Sequence, residues 1–326
     1  MTVDVLCLRP EADFLRAGAP PPSALKVVYR DPEDPDVLAF MEQARALLIP
    51  AVGPKLAPAL FRNASTKFVQ VTGAGLDRLD LPLLKQLGIV VANVPGGSNR
   101  AVAEYVVTAA SVLLRRFAWA DAEIRAGRYR EFRARLVTDN LSGLDGLIAG
   151  VVGLGVIGLA VAEALQKNGC NIVYFDPAPR DSKAAAAFGA KSVPLGELLK
   201  TADVVTLHVP LLPPTQGLIS AREFALMKHG AILIQASRGG IVDEAALAAA
   251  LNSGHLAGAA VDVFSTEPPA ADSPLLALSG EAARRILFTP HIAGVTRQAS
   301  AFLFRSAWRN IERVLLANEP PHHRAC

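Results

Sequence analysis

A chain of 326 residues is long enough for two domains, each with its own core. Half of it is hydrophobic (51%) and under a fifth charged (19%), which excludes a disordered chain. The net charge of +3, from 33 basic and 30 acidic residues, is small and dispersed, so neither a nucleic-acid stripe nor a membrane-surface patch is expected. The stretch Met1–Leu8 alternates like a strand and lacks the basic-then-apolar pattern of a signal peptide. Strands are predicted at Val3–Leu8, Ala46–Ile49, Phe68–Val71 and Ile89–Val94, with helices at Val37–Ala46, Leu56–Asn63 and Leu81–Leu87. That alternation implies a small parallel sheet with helices on its faces.

Ala101–Arg115 reads as a long helix, apolar nearly all round, and is expected to pack between domains or against a second subunit. The arginine-rich Gly127–Asn140 reads as a loop. Gly146–Leu165 is almost free of charge, yet its glycines and flanking Asp145 favour a buried strand–turn–helix over a membrane span. Further strands are predicted at Ile148–Val152, Ile172–Phe175, Val204–His208, Ala231–Gln235, Ala259–Val263 and Ile286–Thr289. Helices at Ile157–Lys167 and Glu244–Leu251 fall between them, so a doubly wound sheet follows. Arg297–Leu316 is apolar on one face and is expected to return to the first domain, which makes that domain discontinuous. Cys7, Cys170 and Cys326 fall in no metal or redox spacing, so no metal site and a reducing, cytoplasmic setting are expected. His322 and His323 read as solvated residues of a polar tail.

Gly153-Leu154-Gly155-Val156-Ile157-Gly158 follows an apolar strand and opens a helical pattern, and Asp176 ends the next strand. Glycines there let backbone approach a pyrophosphate, whose charge meets the helix N-terminus. An acid at Asp176 accepts from ribose hydroxyls and repels a 2′-phosphate, which favours NAD over NADP; Arg180 nearby pulls the other way. Three more motifs follow strand ends, at the sheet edge where ligands collect. Arg238, in Gln235-Ala236-Ser237-Arg238-Gly239-Gly240, presents a fork suited to a carboxylate. Glu267 lies in Ser265-Thr266-Glu267-Pro268 and His291 in Thr289-Pro290-His291-Ile292. A carboxylate beside an imidazole favours its charged form, which donates to a carbonyl oxygen, while the neutral ring removes a hydroxyl proton. Together they point to a nicotinamide-dependent oxidoreductase acting on a 2-oxo or 2-hydroxy acid.

These motifs, with Val71-Thr72-Gly73-Ala74-Gly75-Leu76-Asp77, Asn93-Val94-Pro95-Gly96-Gly97, Val102-Ala103-Glu104, His208-Val209-Pro210-Leu211 and Ala260-Val261-Asp262-Val263, resemble the D-isomer-specific 2-hydroxyacid dehydrogenase family over nearly the whole chain. The resemblance implies an α/β protein of two Rossmann-like or flavodoxin-like parallel-sheet domains. Residues 1–99 plus 292–326 would form a discontinuous substrate-binding domain closed by the C-terminal helix, and 100–291 the NAD-binding Rossmann domain. It implies Arg238 as carboxylate binder, Glu267 as helper and His291 as acid/base. Backbone amides of Thr72, Gly73, Ala74 and Gly75 would join Arg238 and His291 on the substrate. Gly153, Gly155, Val156, Ile157, Gly158, Asp176, His208, Val209, Pro210, Thr215, Ala236, Ser237, Arg238, Asp262, His291 and Gly294 would line the NAD site, Asp262 bonding the nicotinamide carboxamide. A homodimer through the Ala101–Leu114 region and hinge closure over a substrate between the domains are also implied.

Departures from the family pattern carry information. Tyr105 stands where histidine is frequent, and Val156 where arginine is common. Leu48-Ile49-Pro50-Ala51-Val52 lacks the Arg-Ser of phosphoglycerate-type members, and ending at Cys326 leaves no regulatory extension; both argue against 3-phosphoglycerate as substrate. The expected activity is interconversion of a D-2-hydroxy acid and its 2-oxo acid, in the manner of glyoxylate/hydroxypyruvate reductases. Phosphite dehydrogenase and an NADH-sensing, corepressor-like interaction protein keep the same trio and stand as alternatives.

Overall fold

The structure, a computed structural model, describes residues 3–178 and 183–326. The chain divides into two compact units, Met1–Ser98 with Val295–Cys326, and Asn99–Gly294. Each is built on a wholly parallel sheet.

In the first unit the strands are β1 (Val5–Cys7), β2 (Val27–Tyr29), β3 (Ala46–Ile49), β4 (Phe68–Val71) and β5 (Val90–Ala92), in the order β2-β1-β3-β4-β5. The run Ala46-Leu47-Leu48-Ile49 is buried throughout, so both faces of the sheet need cover. Successive side chains alternate between them. Leu47, Ile49, Val69 and Val91 face a core with Met41, Phe61 and Leu84. Ala46, Leu48 and Phe68 face Phe14 and the helix Arg297–Leu315 through Phe304, Ala307, Trp308 and Ile311. The C-terminal helix therefore supplies one layer of a domain begun at the other end of the chain. Its buried Asn310 donates to Gln70 Oε1 (2.9 Å) and accepts from the His322 amide (2.9 Å). The tail after it bridges antiparallel to β5 at Ala92 and Arg324, covering a sheet edge that would otherwise be open to pairing.

The second unit holds β6 (Ile148–Val152), β7 (Asn171–Phe175), β8 (Lys191–Ser192), β9 (Val204–Leu207), β10 (Ile232–Gln235), β11 (Gly258–Val261) and β12 (Ile286–Phe288), ordered β12-β11-β10-β9-β6-β7-β8. Chain direction across the sheet reverses between β6 and β9, the switch point where open α/β sheets bind ligands. Pairing aligns Phe175, Val152, Leu207, Gln235, Val261 and Phe288 in one row. The residues that follow that row are Asp176, Gly153, His208, Ala236, Asp262 and Thr289. At about 4.8 Å per strand they are spread over roughly 24 Å of one carboxyl edge.

The helix Asn99–Leu114 buries Ala101, Val102, Ala103, Val106, Ala109 and Ala110 within its own unit, against the helix Val156–Lys167 and the sheet. Gly127–Asn140 is not a loop, because Tyr129–Thr138 is helical and follows another helix, Phe117–Arg125. Its buried stripe is little more than Phe132, packed 5.3 Å from the Trp119 ring. Arginine does the rest: Arg135 stacks on Trp119 at 4.5 Å while pairing with Glu281 at 2.9 Å. The nearly uncharged run Gly146–Leu165 resolves into β6, a turn and most of the helix Val156–Lys167. Among the described residues no helix is long and apolar enough to cross a membrane.

Candidate active site

The turn after β6 uses its glycines for three separate reasons. Gly153 has φ +95, and a Cβ there would lie 2.7 Å from the His208 carbonyl carbon. A Cβ on Gly158 would sit 1.9 Å from the Gly153 carbonyl oxygen, so the helix packs onto the turn only without one. Above Gly155, the N-cap of the helix Val156–Lys167, a Cβ would meet nothing within 4 Å. That open backbone at a 12-residue helix N-terminus suits a phosphate. Asp176 sits at the end of β7, its Oδ2 accepting from the Leu154 amide (2.7 Å) and its Oδ1 from the Ala178 amide (2.9 Å). Arg180 lies outside the described residues. Val156 is 61% exposed, and with exposed Leu212 and Ile292 it leaves apolar surface along this edge suited to a flat ring.

His208 follows β9, and its Nε2 shares a hydrogen bond with the Thr206 hydroxyl (2.9 Å). Burial pushes the imidazole down to about 3, so the folded protein holds it neutral. Its folded-state value lies below the unfolded one. The associated stability is therefore complete above about 6.5 and is lost as pH falls towards 3. Between pH 7.5 and 5.5 the wild type should lose about 1.4 kcal/mol more unfolding free energy than His208→Gln. Urea unfolding of both proteins at the two pH values measures this; parallel losses would contradict it.

Next to it, Val209 is buried in the core, while Pro210 is exposed. The Thr215 hydroxyl donates to the Pro210 carbonyl (2.6 Å) and accepts from the Leu212 amide (2.8 Å), stapling the loop. Buried Gln235, the last residue of β10, knots the following loop. Its Oε1 accepts from the Ser237 hydroxyl (2.7 Å) and its Nε2 donates to the Arg238 carbonyl (2.8 Å). Arg238 is half-buried, with Nη1 donating to the Ser237 carbonyl (2.7 Å). A Cβ on Gly239 would fall 1.8 Å from the Phe264 carbonyl oxygen, so the Arg238 loop touches the Glu267 loop backbone to backbone.

Glu267 accepts from the Phe264 amide at 3.1 Å, and both its oxygens face Nδ1 of His291, at 2.8 and 3.1 Å. A carboxylate only accepts, so Nδ1 carries the hydrogen and Nε2 is left for proton exchange. His291 has φ +55, an unusual value for a non-glycine residue. Asp262, 1% exposed, holds this turn. Its carbonyl accepts from the His291 amide (2.8 Å), Oδ1 from the Ile292 amide (2.8 Å) and Oδ2 from the Ala293 amide (2.9 Å). Oδ1 also accepts from the Thr289 hydroxyl (2.5 Å). Asp262, read from sequence as a cofactor contact, thus spends most of its acceptor capacity on the His291 turn. Gln235, Thr289 and the anchoring by Asp262 carried no assigned role in the sequence; the only signal was a polar residue ending an apolar strand.

In the first unit, the amide of Thr72 is committed to the Ile49 carbonyl (2.9 Å) and is no donor for a ligand. Those of Gly73, Ala74 and Gly75 bond nothing among the described residues. A Cβ on Gly73 would lie 2.7 Å from Ala51 Cβ, which makes the close approach of the two loops a glycine requirement. Among the described residues no group of acids, histidines and cysteines is arranged to hold a metal.

A family model described as the NAD binding domain of D-isomer specific 2-hydroxyacid dehydrogenases matches residues 107–293. D-3-phosphoglycerate dehydrogenase of Archaeoglobus fulgidus is 38% identical over 233 residues, covering 72% of this chain and 42% of that one. The chain thus spans less than half the length of this relative. Among solved structures, the TT0316 protein of Thermus thermophilus superposes with a TM-score of 0.84 at 30% identity, covering 99% of this chain and 100% of that one. The holo form of D-mandelate dehydrogenase from Rhodotorula graminis gives 0.84 at 26% identity, with 100% and 98% covered.

Proposed function

Since the chain belongs to the D-isomer specific 2-hydroxyacid dehydrogenase family, we propose that it reduces a small 2-oxo acid to the D-2-hydroxy acid with NADH, and catalyses the reverse. The observation that carries the reading is the Glu267–His291 pair at 2.8 Å on the edge that also carries the glycine turn and Arg238. Gly153, Gly155 and Gly158, the amides opening the helix Val156–Lys167, and Asp176 would hold the dinucleotide, and the acid favours NAD over NADP. When bound, the reduced nicotinamide supplies a hydride to the 2-oxo carbon. Arg238 forks onto the substrate carboxylate and fixes which way the carbonyl points. Nε2 of His291 donates the proton that completes the hydroxyl, and in oxidation the neutral ring takes it back. Glu267 accepts from Nδ1 throughout and stabilises the ring's positive charge before the proton leaves. In the first unit, the open amides of Gly73, Ala74 and Gly75 are suited to an anionic group.

The test is NADH oxidation across glyoxylate, hydroxypyruvate, pyruvate, phenylpyruvate and longer 2-oxo acids, with NADPH in parallel. Turnover with at least one acid, and faster with NADH, is expected. Tight NADH binding without oxidation by any acid would favour a sensor, and NAD reduction by phosphite alone a phosphite dehydrogenase. Glu267→Gln should slow reduction about 10–100-fold with NADH affinity kept, because Nδ1 of His291 loses its charged acceptor. A rate equal to wild type would remove Glu267 from this role.

A further inference from the structure

We propose that Tyr105 is a positioning residue for His291, acting through Thr289 and Asp262 as a one-way chain of hydrogen bonds. Tyr105 lies on the helix Asn99–Leu114, and its hydroxyl is 2.7 Å from the Thr289 hydroxyl. Thr289 Oγ1 in turn lies 2.5 Å from Asp262 Oδ1. Donor inventory sets the direction. The Asp262 carboxylate accepts only, so Thr289 gives it the single hydroxyl hydrogen, and Tyr105 must then donate to Thr289. Burial pushes the Tyr105 phenol up to about 12, so it keeps that hydrogen throughout the working pH range.

The chain ends on the group that shapes the catalytic turn. Asp262 takes the amides of Ile292 and Ala293 on its two carboxylate oxygens and that of His291 on its carbonyl. Those bonds hold His291 at φ +55. Thr289 is the residue from which the turn leaves the sheet, and its hydroxyl joins the helix to the carboxylate. Without a donor at position 105, Thr289 Oγ1 loses the bond that fixes and polarises it, and its own bond to Asp262 Oδ1 is held less firmly. The device needs a hydrogen-bond donor at position 105 rather than a tyrosine as such. An N–H from histidine meets that need, and phenylalanine, of nearly the same shape, does not.

Because the kinetic arm rests on the reductase reading, the test carries an arm that does not. Tyr105→Phe should lower kcat about tenfold with KM for the 2-oxo acid and NADH affinity little changed. Tyr105→His should recover most of the loss. Adding Tyr105→Phe to Thr289→Val should cost little beyond Thr289→Val alone, since both cut one chain. Independently of turnover, hydrogen exchange of the 289–293 segment should quicken in Tyr105→Phe and return in Tyr105→His. Wild-type kcat in Tyr105→Phe, or additive losses in the double variant, would overturn the proposal. So would unchanged exchange in the segment. Failure of every 2-oxo acid to be reduced would remove the reductase reading, and the exchange result would still decide this one.

Discussion

His291→Ala should lower kcat for 2-oxo acid reduction by about 10²–10⁴-fold while NADH binding is retained. Hydride addition leaves charge on the carbonyl oxygen, and a proton delivered in the same step removes the need to stabilise a free alkoxide. Neither acid beside the turn can take over this work. Glu267 is placed against Nδ1, on the other side of the ring (2.8 Å), and Asp262 is occupied by the Thr289 hydroxyl and two amides. The dinucleotide turn after β6 does not involve His291, so NADH fluorescence titration of the variant should match wild type. Near-normal kcat would move the acid/base role elsewhere, and loss of NADH binding would show that the change disturbed the edge as a whole.

Arg238→Met should reduce kcat/KM for the 2-oxo acid about 10²–10³-fold, because two charge-assisted hydrogen bonds are lost together. Methionine keeps the length and apolar stem of the side chain, so packing of the loop is spared. The loop itself is held by Gln235 and by the Gly239–Phe264 contact, neither of which uses the guanidinium. Arg238→Lys separates charge from geometry: a point charge without a fork should recover only part of the loss. Initial-rate kinetics over a wide range of oxo acid check both variants. A change confined to NADH affinity would mean that Arg238 serves the cofactor instead.

Legibility in the sequence followed burial. Ala46–Ile49, Phe68–Val71 and Ile148–Val152 are short, mostly apolar runs closed by Pro50, Thr72 and Gly153, and they stand as strands at those limits. Val27–Tyr29 is a half-buried edge strand of three residues behind a proline-rich stretch, with too little pattern to detect. The helix Tyr129–Thr138 was hidden because arginine stems replace its apolar stripe, and only the distant Trp119 and Glu281 reveal what they pack against. Arg238, Glu267 and His291 were readable because each follows a strand end in a parallel sheet. What connects Tyr105 to Asp262 was not, since it depends on where a helix lies against a strand end 184 residues away. For the same reason a sequence motif could not show that Asp262 is largely spent on the His291 turn.

The proposed reaction rests on three-point attachment: Arg238 on the carboxylate, His291 on the carbonyl oxygen, and hydride arriving from one fixed side. Such an arrangement exposes a single face of the 2-oxo carbon. Chiral chromatography of the hydroxy acid formed from hydroxypyruvate, pyruvate or phenylpyruvate with NADH tests it most directly. The D enantiomer alone is the predicted result; a racemic or L product, or no product from any of them, would contradict the account.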